Sequence, residues 1–390
     1  MQRRSLLRVV GGGVIAAATA PLTACSSALP DGAIAAWRGP GAEPDLRRWV
    51  LAHAILAPHS HNLQSWLVDL SVPDQISLFL DRSRLLPETD PLSRQMMMSQ
   101  GTFLELLDQA ARQRGQRADI TLFPDGVPDL QQPEPAQRDR RPTARIRLQA
   151  DPAVTPDPLF AQVLRRHTNR AAYLPQVPGV EVCQAIVQST ATPTLRAGIT
   201  QASQADAMAA QRQIAKDAWR IELTTPRTVL ESLKLLRIGP TEIARHRDGL
   251  SLNDPKIRLV HALGLFDPSQ APAPGDRSIA AQIDDFNARI DSTPAFYWLV
   301  SEGNDRATQV KAGRAWVRAH LAATAQGLAM QPISQALQEF AEVQAPYRAL
   351  HALLGAPAPR YTVQMWARLG QAPAVQPAPR RGVDAHILKA

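Results

Sequence analysis

Along most of the chain apolar residues recur with one of two periods, and the period decides the element. Leu46, Val50 and Ala54 share one helical face behind Asp45, an N-cap, and Pro58 closes that helix. Residues 66–70 and 75–80 read as a hairpin turned at Pro73 and Asp74, with Ile76, Leu78 and Leu80 alternating inward. A long helix follows from about Leu92 to Arg114 and stops at Gly115. Short strands near 120–123 and 145–148 then flank a surface segment, 124–142, crowded with Pro, Gln, Asp and Arg. From Asp157 the pattern starts again. Helices are expected near 158–166, 178–189, 203–222, 226–237 and 277–290, followed by an aromatic strand at 295–300 and a helix at 307–326 closed by Gly327. Shorter helices at 333–341 and 345–354 precede a buried strand at 361–369, and the irregular stretch 266–275 reads as a lid. Two stretches of related order, 44–156 and 157–390, predict an α+β architecture of two similar halves.

The N-terminus follows neither period. Arg3-Arg4-Ser5-Leu6-Leu7-Arg8 leads into an uncharged apolar run from Val9 to Leu22, too short for the roughly 20 residues of a membrane-spanning helix. This is the pattern of a signal peptide, and its paired arginines resemble the twin-arginine export signal. Leu22-Thr23-Ala24-Cys25 resembles a bacterial lipoprotein box, and the alternative is an ordinary small-residue cleavage site. Residues 1–25 are therefore expected to be a twin-arginine signal peptide handled by the export machinery, with Cys25 acylated. The mature protein would then be periplasmic and held to a membrane by lipid. Residues 26–43, small and Gly/Pro-rich, read as a tether.

Composition narrows the classes. With 390 residues, 45% hydrophobic and 20% charged, disordered and fibrous architectures are excluded for most of the length. The 33 prolines exceed the usual share of about 5% and imply many stiff loops. Cys25 and Cys183 are too few for a disulfide framework, and Cys183 reads as a small buried residue. The net charge of +8 falls to +5 once the three signal-peptide arginines are set aside, and no basic stripe interleaves with aromatics, so no nucleic-acid partner is expected. Gly11-Gly12-Gly13 lies inside the signal and has no phosphate-loop context.

Four places carry candidate chemistry. The segment Ala57–Trp66 sets Ser60, His61, Asn62 and Gln64 between a helix end and a strand start, where a planar ligand rich in acceptors would find donors. It also reads as a plain polar connector, or as a His53/His59/His61 metal site that no nearby carboxylate completes. Arg165-Arg166-His167-Thr168-Asn169-Arg170 suits a phosphate clamp, since guanidinium forks match phosphate oxygens, and equally a solvated charge run. Arg380 and Arg381 form a C-terminal basic pair. Ser334 and Gln335 begin a helix and leave amides open toward an electron-rich ring edge.

Taken in order, these segments resemble the nitroreductase family, and within it the Acg-like branch of fused flavin-binding proteins. The loop at 57–66 is similar to the family's Pro-Ser-Ser-x-Asn-x-Gln-Pro-Trp segment, with His59 for one serine and Ser65 for the proline. Arg165–Arg170 is similar to its Arg-Arg-Ser-x-Arg run, Pro332–Gln335 to its Pro-Ile-Glu-Gly turn, and Arg380-Arg381 to its C-terminal basic pair. The resemblance implies a nitroreductase-like three-layer α+β sandwich, here fused into an intrachain pseudo-dimer and so a monomer. It implies FMN between the halves. The phosphate would be held by Arg166, Arg170 and Arg381 with Arg380, Thr168 and Asn169, and the ring by Ser60, His61, Asn62, Gln64, Ser334 and Gln335. Before Trp49 stand only Arg47 and Arg48, and no second Asn-x-Gln loop follows, so one site is expected. No side chain need act as catalytic acid or base, because hydride transfer is the cofactor's chemistry. The implied activity is two-electron reduction of a quinone, nitroaromatic or similar small acceptor from an unidentified donor. The alternatives are a silent flavin-sequestering protein with a lid, or a cofactor-free exported hydrolase or binding protein.

Overall fold

The first repeat of the pattern folds as its periods dictate. Asp45 caps α1 (Leu46–Ala54) by accepting from the amides of Arg47 and Arg48. The hairpin of β1 (Trp66–Asp69) and β2 (Gln75–Leu80) buries Ile76, Leu78 and Leu80. Helix α2 (Arg94–Gln113) is buried along almost its whole length, and β3 (Gln116–Leu122) and β4 (Ala144–Ala150) complete an antiparallel sheet of order β1-β2-β4-β3. Both closing strands extend beyond the expected 120–123 and 145–148, because their added residues pair while pointing polar side chains outward. The computed structural model describes residues 27–130, 141–190, 192–273 and 275–389. The signal-peptide and Cys25 expectations, and part of the 124–142 segment, lie outside them.

The second half repeats this order with an insertion. Helix α3 (Val180–Gln188) precedes β5 (Leu195–Gln201). Then come α4 (Ala205–Thr224), α5 (Pro226–Lys234), β6 (Leu236–Ile238), α6 (Gly239–His246), β7 (Leu250–Leu252), α7 (Pro255–Ala262) and α8 (Arg277–Asp291). Strand β8 (Ala295–Glu302), α9 (Arg306–Ala325), β9 (Ala329–Pro332), α10 (Gln344–Leu353) and β10 (Tyr361–Gly370) close the chain's second antiparallel sheet, of order β5-β8-β10-β9. Matched in sequence order, the two sheets are the same sheet. Residues 202–294 stand where the first half has only a hairpin turn, and β6 and β7 pair within them as a separate parallel ribbon.

The halves meet where α2 crosses α9. A Cβ on Gly101 would lie 2.0 Å from the Val310 carbonyl oxygen, and one on Gly313 would lie 1.9 Å from that of Met98. Each glycine approaches the carbonyl three residues before the other, as a two-fold axis within one chain requires. Among the described residues no helix is long and apolar enough to cross a membrane.

Several expectations are corrected. Residues 27–43 are no tether: a helical turn (Asp31–Ile34) and a 3-10 turn (Ala35–Arg38) bury Trp37 against Val50 and Leu51, and its indole Nε1 donates to Ala378 O at 2.8 Å. One aromatic residue with a buried partner outweighs a permissive local composition. Of the helix expected at 158–166 only the 3-10 turn Pro158–Gln162 forms, and 333–341 resolves into two 3-10 turns, Ser334–Leu337 and Ala341–Val343. The helix expected over 226–237 ends at Lys234 and passes into β6, and β5, β7, β9, α6 and α7 carry no period strong enough to have been expected.

Candidate functional site

The loop between α1 and β1 is held in a sparsely populated backbone conformation. His61, Asn62 and Gln64 all have left-handed φ, 48°, 55° and 53°, which non-glycine residues rarely adopt and which surrounding contacts must enforce. The contacts come from the other half. Arg380 Nη1 donates to Asn62 Oδ1, and its Nη2 donates to Ala57 O at 3.1 Å. Arg381 donates through its amide to Gln64 Oε1 at 2.9 Å and through Nη2 to Gln64 O. Arg166 Nη2 donates to Leu56 O at 2.7 Å. Asn62 Nδ2 donates to Pro379 O at 3.0 Å and Gln64 Nε2 to Arg247 O at 2.9 Å. The expected loop and the expected arginines therefore converge. The Asn62 and Gln64 amides, expected on a ligand, are engaged by protein atoms and position the C-terminal arm.

Charge makes this cluster unusual. Arg166, Arg380 and Arg381 are 1%, 4% and 9% exposed, and among the described residues no carboxylate lies within 4.0 Å of any of them. Burial pushes the Arg166 guanidinium down to about 9; burial and the like charge of Arg166 do the same to Arg380. Burial, with Arg84 nearby, lowers Arg381 to about 10. Arg166 and Arg380 both lie over the Trp37 ring, 5.7 and 5.2 Å from its centroid. The Nε atoms of all three arginines are buried without a hydrogen-bond partner. Asp248 and Asp81 offset part of the Arg381 charge from a distance, and buried positive charge with no carboxylate in contact and with open donors suits a site for an anion.

Beside the loop lies a polar chain that spans both halves. Ser60 Oγ is 3.2 Å from His61 Nδ1, His61 Nε2 is 3.4 Å from Ser232 Oγ, and Ser232 Oγ donates to Glu222 Oε1 at 3.3 Å. Gln338 Nε2 donates to Glu222 Oε2 at 2.9 Å. Burial raises Glu222 to about 7, while burial and the charge of Arg170 hold His61 down to about 4. Near neutrality His61 is thus neutral and Glu222 close to half-protonated. Neither Glu222 nor Ser232 was expected. The signal was present, since Met208, Gln211, Ala215, Ala218 and Glu222 form one buried stripe of α4, and a carboxylate in such a stripe needs a reason.

The remaining expected residues divide. Arg170 is exposed and makes no hydrogen bond among the described residues. Thr168 pairs through its backbone with Met330 on β9, and Asn169 Nδ2 donates to Pro373 O at 2.7 Å, so Asn169 is engaged in holding the arm. Ser334 and Gln335 occupy the half-buried 3-10 turn after β9. The segment laid on the loop is 247–249, where the Gly249 amide donates to Asn62 O at 3.2 Å and Asp248 pairs with Arg84 at 2.6 Å; in the expected lid, Ala271 packs instead beside Leu223 and Val229. Only residues 189–194 stand between α3 and β5, where a second loop would lie, and Arg47 and Arg48 are bound to Leu70 O, Glu43 and Asp384. His59 Nε2 faces Ser65, His61 Nε2 faces Ser232 and His53 Nδ1 faces Trp49 O, three separate directions.

No family model matches the chain. A protein of Mycobacterium tuberculosis H37Rv, Rv3131, which carries the name NAD(P)H nitroreductase, is 30% identical over 346 residues, 86% of this chain and 88% of that one. MT3217 of strain CDC 1551 bears the same name and gives the same figures. Among solved structures the chain is similar to the FMN- and NADPH-dependent nitroreductase NfnB of Sphigopyxis sp. strain HMH, at 18% identity and a TM-score of 0.36 over 60% of this chain and 98% of that one. For NfnB of Mycobacterium smegmatis in complex with NADPH the figures are 17%, 0.35, 60% and 98%.

Proposed function

The chain belongs to the nitroreductase family, and from that membership we propose that it is an exported, lipid-anchored oxidoreductase that binds one FMN between its halves and reduces a quinone, nitroaromatic or similar acceptor. The observation that carries this reading is the arginine cluster: three buried guanidiniums with no carboxylate in contact among the described residues, their Nε atoms open, gathered on a strained loop from the other half. The donor set fits an anionic cofactor. Arg166, Arg380 and Arg381, with Arg170 and the Thr168 hydroxyl, would hold the phosphate, and Ser60, His61 and the amides of Ser334 and Gln335 would face the ring. Bound FMN supplies hydride chemistry to an acceptor stacked on it.

The chain's own residues set the conditions for that chemistry. The arginines favour negative charge on whatever they hold. His61, neutral near pH 7, offers a hydrogen bond without repelling a cationic or neutral acceptor. With Glu222 protonated, the hydrogen bond to Ser232 would reverse: Glu222 would donate to Ser232 Oγ, Ser232 to His61 Nε2, His61 Nδ1 to Ser60 Oγ, and Ser60 its own proton to a reduced acceptor, leaving Glu222 ionised. The paired arginines of the leader and Cys25 support export by the twin-arginine machinery and lipid anchoring.

The contact of residues 247–249 with the loop favours a second reading, in which flavin is stored rather than used. Native purification followed by an assay with NADPH and a quinone separates the two. A yellow protein that turns over supports the oxidoreductase; a yellow protein that does not supports storage; a protein colourless after incubation with FMN removes both.

A further inference from the structure

Helix α7 carries its apolar residues on the side that faces solvent. Lys256, Leu259, Val260 and Leu263 follow one another at the spacings of a single helical face. Leu259, Val260 and Leu263 are 47%, 40% and 61% exposed, Leu265 just beyond is 59% exposed, and no residue of α7 is buried. A helix packed on its own protein presents the opposite pattern.

The position of this face says what covers it. Asn253 Nδ2, at the foot of α7, donates to Ala28 O at 2.6 Å, and Asp254 caps α7 by accepting from the Lys256 and Ile257 amides. Cys25 stands three residues before Ala28, and a chain reaches at most about 3.5 Å per residue. An acyl group on Cys25 is therefore tethered within roughly 10 Å of Ala28, whose carbonyl is bonded to the residue two before α7. Exposed Lys256 lies on the stripe, with exposed Asp254 before it and Asp267 after it in the chain, so apolar contact rather than net charge carries the docking.

We propose that α7 and the turn through Leu265 are a membrane-docking face, lying in the headgroup boundary of the bilayer that holds the lipid anchor. The inference rests on Cys25 being acylated and is independent of the flavin. A lipid anchor and an apolar helical face together give the two signals that stable peripheral attachment needs. The docked helix continues from β7 and residues 247–249, which touch Asn62 and Gln64, so docking sets the loop site close to the bilayer, where apolar quinones dissolve.

The full chain, acylated and reconstituted in phosphatidylethanolamine–phosphatidylglycerol vesicles, tests this with Leu263→Cys labelled by an environment-sensitive fluorophore. Cys183 is buried and Cys25 acylated, so the label goes to position 263. The account expects blue-shifted emission quenched by nitroxide-bearing lipids, more strongly than a label at Val72→Cys on the β1–β2 turn. It also expects the quenching to fall when Leu259→Ser and Leu265→Ser are added. Vesicle flotation with equal or no quenching overturns the docking face and leaves the anchor standing; failure to float overturns both. A blue shift that grows with protein concentration in the absence of vesicles assigns the face to a second copy and overturns the proposal. The visible spectrum, read separately, reports the flavin.

Discussion

Arg170→Ala separates ligand binding from folding more cleanly than any other change at the site. Its side chain is exposed at its surface and makes no hydrogen bond among the described residues, while the surrounding protein and the charge of Arg289 lower its pKa, so truncation should alter the stability of the flavin-free chain by about 1 kcal/mol or less. A charge-assisted hydrogen bond to phosphate is worth about 1.5–3 kcal/mol, which converts to a Kd for FMN roughly 10- to 150-fold weaker. Arg166→Ala lacks this clarity, because it also cuts the bond to Leu56 O and empties a buried position. Arg170 also disfavours protonation of His61, so its removal should raise the His61 pKa from about 4. Titration of flavin-free protein by quenching of FMN fluorescence gives the affinity, urea unfolding gives the stability, and imidazole NMR gives the pKa. An affinity within about twofold of the unaltered chain, alongside unchanged stability, would refute the clamp.

Glu222→Gln should change how stability depends on pH. The folded carboxyl titrates near 7 against 4.5 unfolded, so the folded state binds the proton more tightly and this group's contribution is fully present below pH 4.5 and lost as pH rises to 7. The loss is about 3 kcal/mol. The glutamine variant lacks it and should gain that much relative to the unaltered chain between pH 4.5 and 8 in urea melts; a pH-independent difference would show that Glu222 is not held protonated. Gly101→Ala and Gly313→Ala each drive a Cβ far inside van der Waals contact with backbone, 2.0 and 1.9 Å from a carbonyl oxygen. Each should cost about 3 kcal/mol or somewhat more, and the double variant less than the sum, since one separation of α2 from α9 accommodates both. Strict additivity in chemical denaturation would mean that the two contacts are not one crossing.

Much of the fold was legible because burial and period coincide. Strand β2 and helix α2 sit within two residues of their expected bounds, since each places an unbroken apolar face against the core. Strand β9 and helices α6 and α7 were not legible: β9 is four residues ending in Pro332, and α6 and α7 are eight residues each, too short for their patterns to stand out. At the site, residue type and order pointed to the arginines and to the 57–66 loop, but not to how they meet. That Arg380 and Arg381 hold the loop backbone depends on the C-terminal arm crossing to the first half, where His386 O accepts from the Val68 amide. Glu222 was hidden in the 202–294 insertion, where none of the recognised motifs falls, and Trp37 in a segment whose composition promised nothing.

The stoichiometry of flavin in natively purified, FMN-saturated protein tests the central claim most directly. Absorbance of the released cofactor against protein concentration should give one FMN per chain, with the chain monomeric. A colourless protein after saturation with FMN, or two flavins per chain, would contradict the account.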